Sequence, residues 1–267
     1  MPLSLKPISP IQGVQWVRQG VRLFLRYPLG FSALFAGYLI LMVVVAMVPV
    51  LGGLVTLASL PLLSLGFMVA GEEALAGRRV HLGHCVTPLR RDATRRKSQG
   101  VLCLAYGVAS VVVMLTADGI DGGSFEKLQR LLASSGKNAE IDALLAQPEF
   151  AWGMWARIIG AVLVAIPFWH ASALVHWGGQ RPAQALFSST LAVWRAKGAF
   201  FVYFLTWAAL AAAFGLLVAL LLSVLGQSHM AAAVALPGAL TLSTLFYVSL
   251  IFIFQDSFDT SPRVVSA

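Results

Sequence analysis

The chain has 267 residues and a formal charge of +8; 58% of residues are hydrophobic and only 11% charged, with a mean hydropathy of +0.82. No water-soluble domain of this size needs so much apolar surface, so the composition excludes a soluble globule and points to a polytopic membrane protein. The apolar runs are continuous rather than alternating, which excludes a β-barrel, and at roughly 20 helical residues per crossing there is room for about six spans.

Residues 1–10 carry three prolines and read as extended. From Ile11 to Tyr27 the chain is amphipathic: Gln12, Gln15, Arg18, Gln19, Arg22 and Arg26 share one arc of roughly 120°, and Val14, Val17, Val21 and Phe24 lie opposite, flanked by Trp16, Leu23 and Tyr27. This pattern predicts a helix in the membrane interface, with Arg toward headgroups and aromatics toward acyl chains. The alternative is a helix packed on the ends of the spans. The first span is expected from Leu29 to Val48, with Pro49, Gly52 and Gly53 as the break after it. The second runs to about Gly71, kinked at Pro61, and leaves the membrane at Glu72 and Glu73. No cleavable signal peptide is expected, because the first apolar run continues as a full span.

Residues 77–98 form a polar loop in which Arg78, Arg79, Arg90, Arg91, Arg95, Arg96 and Lys97 face a single acid, Asp92. Cys85 and Cys103 fall on or near this loop, on the side expected to be reducing, where a structural disulfide is not expected. The third span is read as Gly100 to Ala117, followed by an acidic segment, 118–150, of two short helices divided by Gly136, the second ended by Pro148. The fourth span extends from Trp152 to Trp177 and contains Pro167; Arg157 reads as an anchor at its outer end. Residues 180–198 are a second polar connection. The fifth span covers Phe200 to Leu225, a turn at 227–229 follows, and the sixth covers Ala231 to Phe254 with Pro237 near its start.

With the N-terminus inside, the cytoplasmic segments hold fifteen of the nineteen Lys and Arg, and the outer ones only Lys127, Arg130, Lys137 and Arg157. The positive-inside rule then places both termini in the cytoplasm, and it accounts for the basic charge without a nucleic-acid partner. RNA binding is not expected, since no aromatic platform interleaves with the cations. A faint duplication is also visible. A basic, Trp-bearing helix precedes both the first span (Trp16) and the fifth (Trp194), and a Pro-bearing span ending in Gly and Arg recurs at Pro61 and Pro167.

Few residues suggest chemistry. The run HLGHC offers His81, His84 and Cys85, too few for a soft metal site, which wants about four ligands. His170 is the one titratable group deep inside a span; such groups are costly and often functional, yet a neutral His can also bond a neighbouring helix. Glu72 and Glu73 sit at a helix C-terminus, where pairing with Arg78 or Arg79 relieves the unfavourable dipole. The prolines suggest discontinuous spans of the transporter kind, but no buried charge accompanies them to bind an ion. The strongest binding candidate is therefore cationic. Arg18, Arg22 and Arg26, together with Arg90, Arg91, Arg95, Arg96 and Lys97, should attract anionic headgroups at about 1 kcal/mol each near the surface.

The stretches GVQWVRQGVRLFLRYPLGFSALF, LPLLSLGFMVAGEEALAGR and DGIDGGSFEKLQ resemble an uncharacterised family of small six-span inner-membrane proteins of Gram-negative bacteria, over nearly the whole chain. The arrangement is also distantly similar to the membrane domain that accompanies some glycerophosphodiester phosphodiesterases, without their catalytic barrel. The resemblance implies membrane location and span count, and supplies no activity and no site residues. The resulting expectation is an all-α, six-span transmembrane bundle. It has an interfacial amphipathic helix at 1–28, a membrane domain at 29–258 with an extracytoplasmic helical segment at 118–150, and a cytoplasmic tail at 259–267. The expected role is non-enzymatic and without cofactors, binding anionic phospholipid or another membrane protein through the cationic face. The alternative is a small-solute transporter or channel, whose midplane cavity would be lined by His170 with Thr206, Ser243 or Thr244.

Overall fold

A computed structural model describes residues 5–49, 51–90, 92–134, 138–226 and 230–259. Arg91, Gly136, Lys137, the turn at 227–229 and the tail from residue 260 lie outside the described residues. The order is α1 (Gln12–Arg26), α2 (Pro28–Ala46), α3 (Leu51–Leu75), two 3₁₀ turns (Leu82–Cys85 and Thr87–Arg90), α4 (Ala93–Asp121), α5 (Ser124–Ala133), α6 (Asn138–Leu145), α7 (Pro148–Phe168), α8 (Ala171–Gly178), α9 (Pro182–Arg195), α10 (Lys197–Val224) and α11 (Ala231–Ser257). Among the described residues the only β pairing is an isolated bridge between Leu5 and Phe258. Among the described residues six helical stretches are long and apolar enough to cross a membrane: α2, α3, α4, the α7–α8 pair, α10 and α11. The protein is an all-α polytopic bundle.

The spans alternate in direction, so the chain gathers α1, the 77–90 loop, α8 and α9 at one end, here called the basic end. Several contacts fix this end. Lys6 N donates to Ser257 O at 3.2 Å, Arg95 Nη1 to His176 O at 3.1 Å, and Trp177 Nε1 to Glu72 Oε2 at 3.2 Å. Glu73 is paired with Arg78 through both carboxylate oxygens, the pairing expected at this helix end. The opposite end carries α5 and α6.

Helix α1 is amphipathic as expected, but its apolar face meets protein rather than acyl chains. Trp16 is fully buried and Val17 is buried beside it against α10 and α11, while Leu23 and Phe24 are buried in a second cluster with residues of α2, α3 and α11. The reason is steric. Gly13 and Gly20 lie on the same face, and a Cβ on Gly20 would stand 2.7 Å from Ser249 Cβ; two missing side chains let the helix backbones approach closely. Gln12, read from the sequence as part of the polar arc, turns inward and donates to Asp256 Oδ2 at 2.6 Å.

Helix α9 shows the opposite arrangement. Its small residues Ala185, Ser189 and Ala192 are buried against α7 and α8, which leaves Phe187 and Trp194 about 70% exposed on the outside. The two Trp-bearing basic helices are therefore both present, but one buries its Trp and the other exposes it.

The α7–α8 span is interrupted at Trp169–His170, just after Pro167. Proline cannot donate to the preceding turn, so backbone groups near it need other partners. Ser189 of α9 supplies them: its Oγ accepts from His170 N at 2.9 Å and donates to Ile166 O at 3.1 Å. Pro61 and Pro237, by contrast, sit within continuous helices.

At the opposite end the acidic segment begins inside a span. Helix α4 continues to Asp121, and Arg157 of α7 binds Asp118 and Asp121, the latter at 2.6 Å, while its guanidinium lies 4.4 Å from the Phe125 ring centroid. The expected snorkelling anchor is thus an internal clamp, because the two acids on α4 offer better partners than headgroups do. Pro148 does not end the second short helix; it opens α7 at the first helical position, where its missing N–H costs nothing.

Candidate functional site

The predicted cations fall into two settings. Arg18, Arg22, Arg26, Arg90, Arg96 and Lys97 are exposed, and Arg91 lies outside the described residues. Arg95 is committed internally: besides the His176 carbonyl it pairs with Asp92 at 3.4 Å, so it holds the C-terminus of α8 to the start of α4. A cation at a helix C-terminus is favourable there.

One cation of the α1 stripe meets a cation of the 77–98 loop. Arg26 and Arg79 line a single groove of about 310 Å³, together with Tyr27, Pro28, Leu29, Gly30 and Val80. It forms because α1 turns into α2 within two residues, and the segment leaving α3 folds back across that turn. Gly30 makes this possible, since a Cβ there would stand 2.9 Å from Val80 Cβ. No acidic residue lines the groove, and both guanidiniums are exposed. Its floor is the first turn of α2, where the Leu29 and Gly30 N–H groups and the helix dipole add partial positive charge. Arg78, the neighbour, is different: its bond to Glu73 raises its pKa, and the pair neutralises itself. The groove thus joins two cations that have no acidic partner among the described residues, amide donors and an apolar wall at the end of a span.

The HLGHC run packs against itself. His81 N donates to His84 Nδ1 at 3.1 Å and the two rings stack at 3.9 Å. Burial, reinforced by His81, lowers the His84 pKa, and burial alone pushes the Cys85 thiol up to about 11, which keeps it protonated at neutral pH. Cys103 is also a free thiol.

His170 does not line the mid-depth cavity built by α3, α4, α7 and α11. It is fully buried among the rings of Phe200, Phe254 and Phe258, with centroids 5.3–6.3 Å away. Thr206 and Thr244 bond their own helices. A midplane cavity does exist, but α3, α4, α7 and α11 build it around Pro61, Tyr106, Trp169 and Tyr247.

Comparison with known proteins gives the chain its family. A probable inner membrane protein of Burkholderia thailandensis is 34% identical over 261 residues, spanning 96% of this chain and 94% of the relative. The chain belongs to that inner-membrane family. With its six apolar helices, this member is a multi-pass protein of the inner membrane, as the sequence resemblance implied. No family model matches the chain, and no solved structure matches it.

Proposed function

We propose that this inner-membrane protein is a non-enzymatic binder of anionic phospholipid, which it holds by the headgroup in the Arg26–Arg79 groove. The observation that carries the reading is the convergence of two exposed guanidiniums, neither with an acidic partner among the described residues, on one groove with apolar walls and no acid. A phosphodiester fits this chemistry: guanidiniums bind phosphate oxygens through charge-assisted bonds, helix amides favour anions, and Leu29 and Val80 offer an apolar path for the acyl chains. Arg18 and Arg22, on the exposed face of the same helix, add to the attraction. The charge asymmetry of the sequence supports a cytoplasmic basic end with both termini inside, which puts the groove against the leaflet richest in accessible anionic headgroups.

Native mass spectrometry of the protein released gently from its membrane tests the reading. Wild type should retain phosphatidylglycerol in preference to phosphatidylcholine, and the Arg26→Gln, Arg79→Gln double variant should lose that preference. Arg96→Gln, which does not touch the groove, should keep it. Equal retention of the two lipids by wild type, or undiminished preference in the double variant, would overturn the proposal.

A further inference from the structure

A groove separates α3 from α4 at the end opposite the basic end. The two helices meet at Gly107, where a Cβ would stand 3.0 Å from Ala58 Cβ and 3.2 Å from Leu54 Cδ1; the missing side chain lets the backbones approach. Just beyond that contact a space of about 500 Å³ opens between residues 51–57 of α3 and 108–118 of α4. Its volume is in the usual range for a small-molecule site, about 300–1,000 Å³. From Val108 to Asp118 a helix rises about 15 Å, so the groove runs lengthwise from the middle of the span to its end. Val112 and Leu115 on its wall are exposed, which opens it to the bilayer.

Gly53 widens it. This residue lies within α3 and its φ is not positive, and a Cβ on it would meet nothing within 4 Å. Neither a turn nor a close approach requires glycine here, and glycine weakens a helix. Its neighbour Gly52 differs, since a Cβ there would stand 2.8 Å from Ala46 Cα. The absent side chain of Gly53 therefore serves the groove and not the packing.

One charged residue lines the groove, Asp118; the other nine lining residues have no polar side chain. Asp118 and Asp121 share a single guanidinium, that of Arg157. Asp121 is wholly buried and also accepts from Gly123 N at 2.9 Å. Asp118 is bonded to Arg157 through Oδ1 alone, and its side chain is 45% exposed. Two carboxylates against one cation leave a surplus negative charge, and Asp118 is the accessible member. From residue 118 to 157 six acids stand against four Lys and Arg, although the whole chain carries +8.

We propose that this groove holds a long-chain amine, its single alkyl chain along Leu54, Leu57, Val108 and Val111 and its ammonium on Asp118. An alkylammonium stays protonated at neutral pH, as a lysine side chain does, and its bond to a carboxylate is charge-assisted. A fatty acid would set a second carboxylate against Asp118, and like charges repel. The site is independent of the Arg26–Arg79 groove, being at the other end of the bundle and of opposite charge.

Dodecylamine and dodecanol make the test, since they share a chain and differ in the head. Equilibrium binding of each labelled probe to the full-length protein in phosphatidylcholine nanodiscs is measured against empty nanodiscs. Dodecylamine should bind saturably at one equivalent per protein, and dodecanol roughly tenfold more weakly, the difference between a charge-assisted and a neutral hydrogen bond. Asp118→Asn keeps the shape and leaves Arg157 paired with Asp121, and it should bring the two probes to parity. Gly53→Leu fills the groove with a better helix former and should abolish saturable binding of both. Val111→Phe fills it from α4 and decides the matter if Gly53→Leu does not fold. No saturable binding of dodecylamine to wild type, parity of the probes in wild type, an undiminished preference in Asp118→Asn, or binding that survives in a folded filled variant would each overturn the proposal.

Discussion

Trp16 of α1 donates its indole N–H to Asp256 Oδ2 of α11 at 2.8 Å, and Gln12 donates to the same oxygen at 2.6 Å. This joint acceptor ties the start of the chain to the end of the last span, beside the Leu5–Phe258 bridge. Trp16 is fully buried and packs edge to face on Phe200 and Tyr203, so its N–H has no route to water if the carboxylate is lost. Asp256→Ala should therefore destabilise by about 2–4 kcal/mol, two charge-assisted bonds lost and one donor stranded. Asp256→Asn, whose carbonyl oxygen can accept both bonds but carries no charge, should cost less than half of that. Thermal unfolding checks the order, and hydrogen exchange of residues 12–26 should rise in Asp256→Ala before that of α10.

Arg157 sets up the strongest electrostatic test. Its side chain is 14% exposed and Asp121 is wholly buried, and removing one partner of a buried pair leaves a charge with no compensation. Arg157→Ala should cost about 3–5 kcal/mol, and adding Asp121→Asn should recover part of it. A double variant no more stable than the single one would mean that Asp121 is hydrated once Arg157 is gone. The effect should also release α5, because Phe125 lies beneath the same guanidinium.

The six spans were legible because charges interrupt them, and the helix ends were misread where charges pair inside the protein. Asp118 and Asp121 look like the end of a membrane crossing; only the fold shows that Arg157, on another helix, neutralises them. Periodicity marked α1 and α9 as amphipathic, but lipid and protein interior are equally apolar, so it could not say which one a face meets. The small residues carried that information. Gly13 and Gly20 share a face with Trp16, and Ala185, Ser189 and Ala192 lie away from Phe187 and Trp194; the small side is the one that packs on neighbouring helices. The meeting of Arg26 with Arg79 and the ring-lined cavity depend on contacts between distant segments, which no local pattern records.

Acid should loosen the 81–90 loop. His84 is 4% exposed, and burial with His81 beside it holds its folded pKa below the ordinary value. The folded state therefore prefers the neutral ring. The stability this contributes is complete above the unfolded pKa of about 6.5 and is lost as pH falls from there toward the folded value. Hydrogen exchange across residues 81–90, corrected for intrinsic rate, should accelerate between pH 7.5 and pH 5.0, and His84→Gln should flatten the dependence. Equal acid sensitivity in His84→Gln would place the titration elsewhere.

The contrast between Trp16 and Trp194 is the most direct check on how this bundle meets its membrane. Both precede a span and both stand on basic helices, yet Trp16 is 0% exposed and Trp194 68% exposed, with Lys197 Nζ 5.1 Å from its ring centroid. An indole with a cation beside it at the end of a span belongs at the headgroup boundary. Phe187, two turns earlier on the same face, extends that contact along α9. In variants that keep one Trp each, phospholipids brominated near the carbonyl end of the chain should quench Trp194 strongly and Trp16 hardly at all. Quenching of Trp16 to the same degree would mean that α1 leaves α10 and α11 in the bilayer, and would undo the packing argued from Gly13 and Gly20. A quenched Trp194 alone would make α9, rather than α1, the helix that sets the depth of this end of the protein.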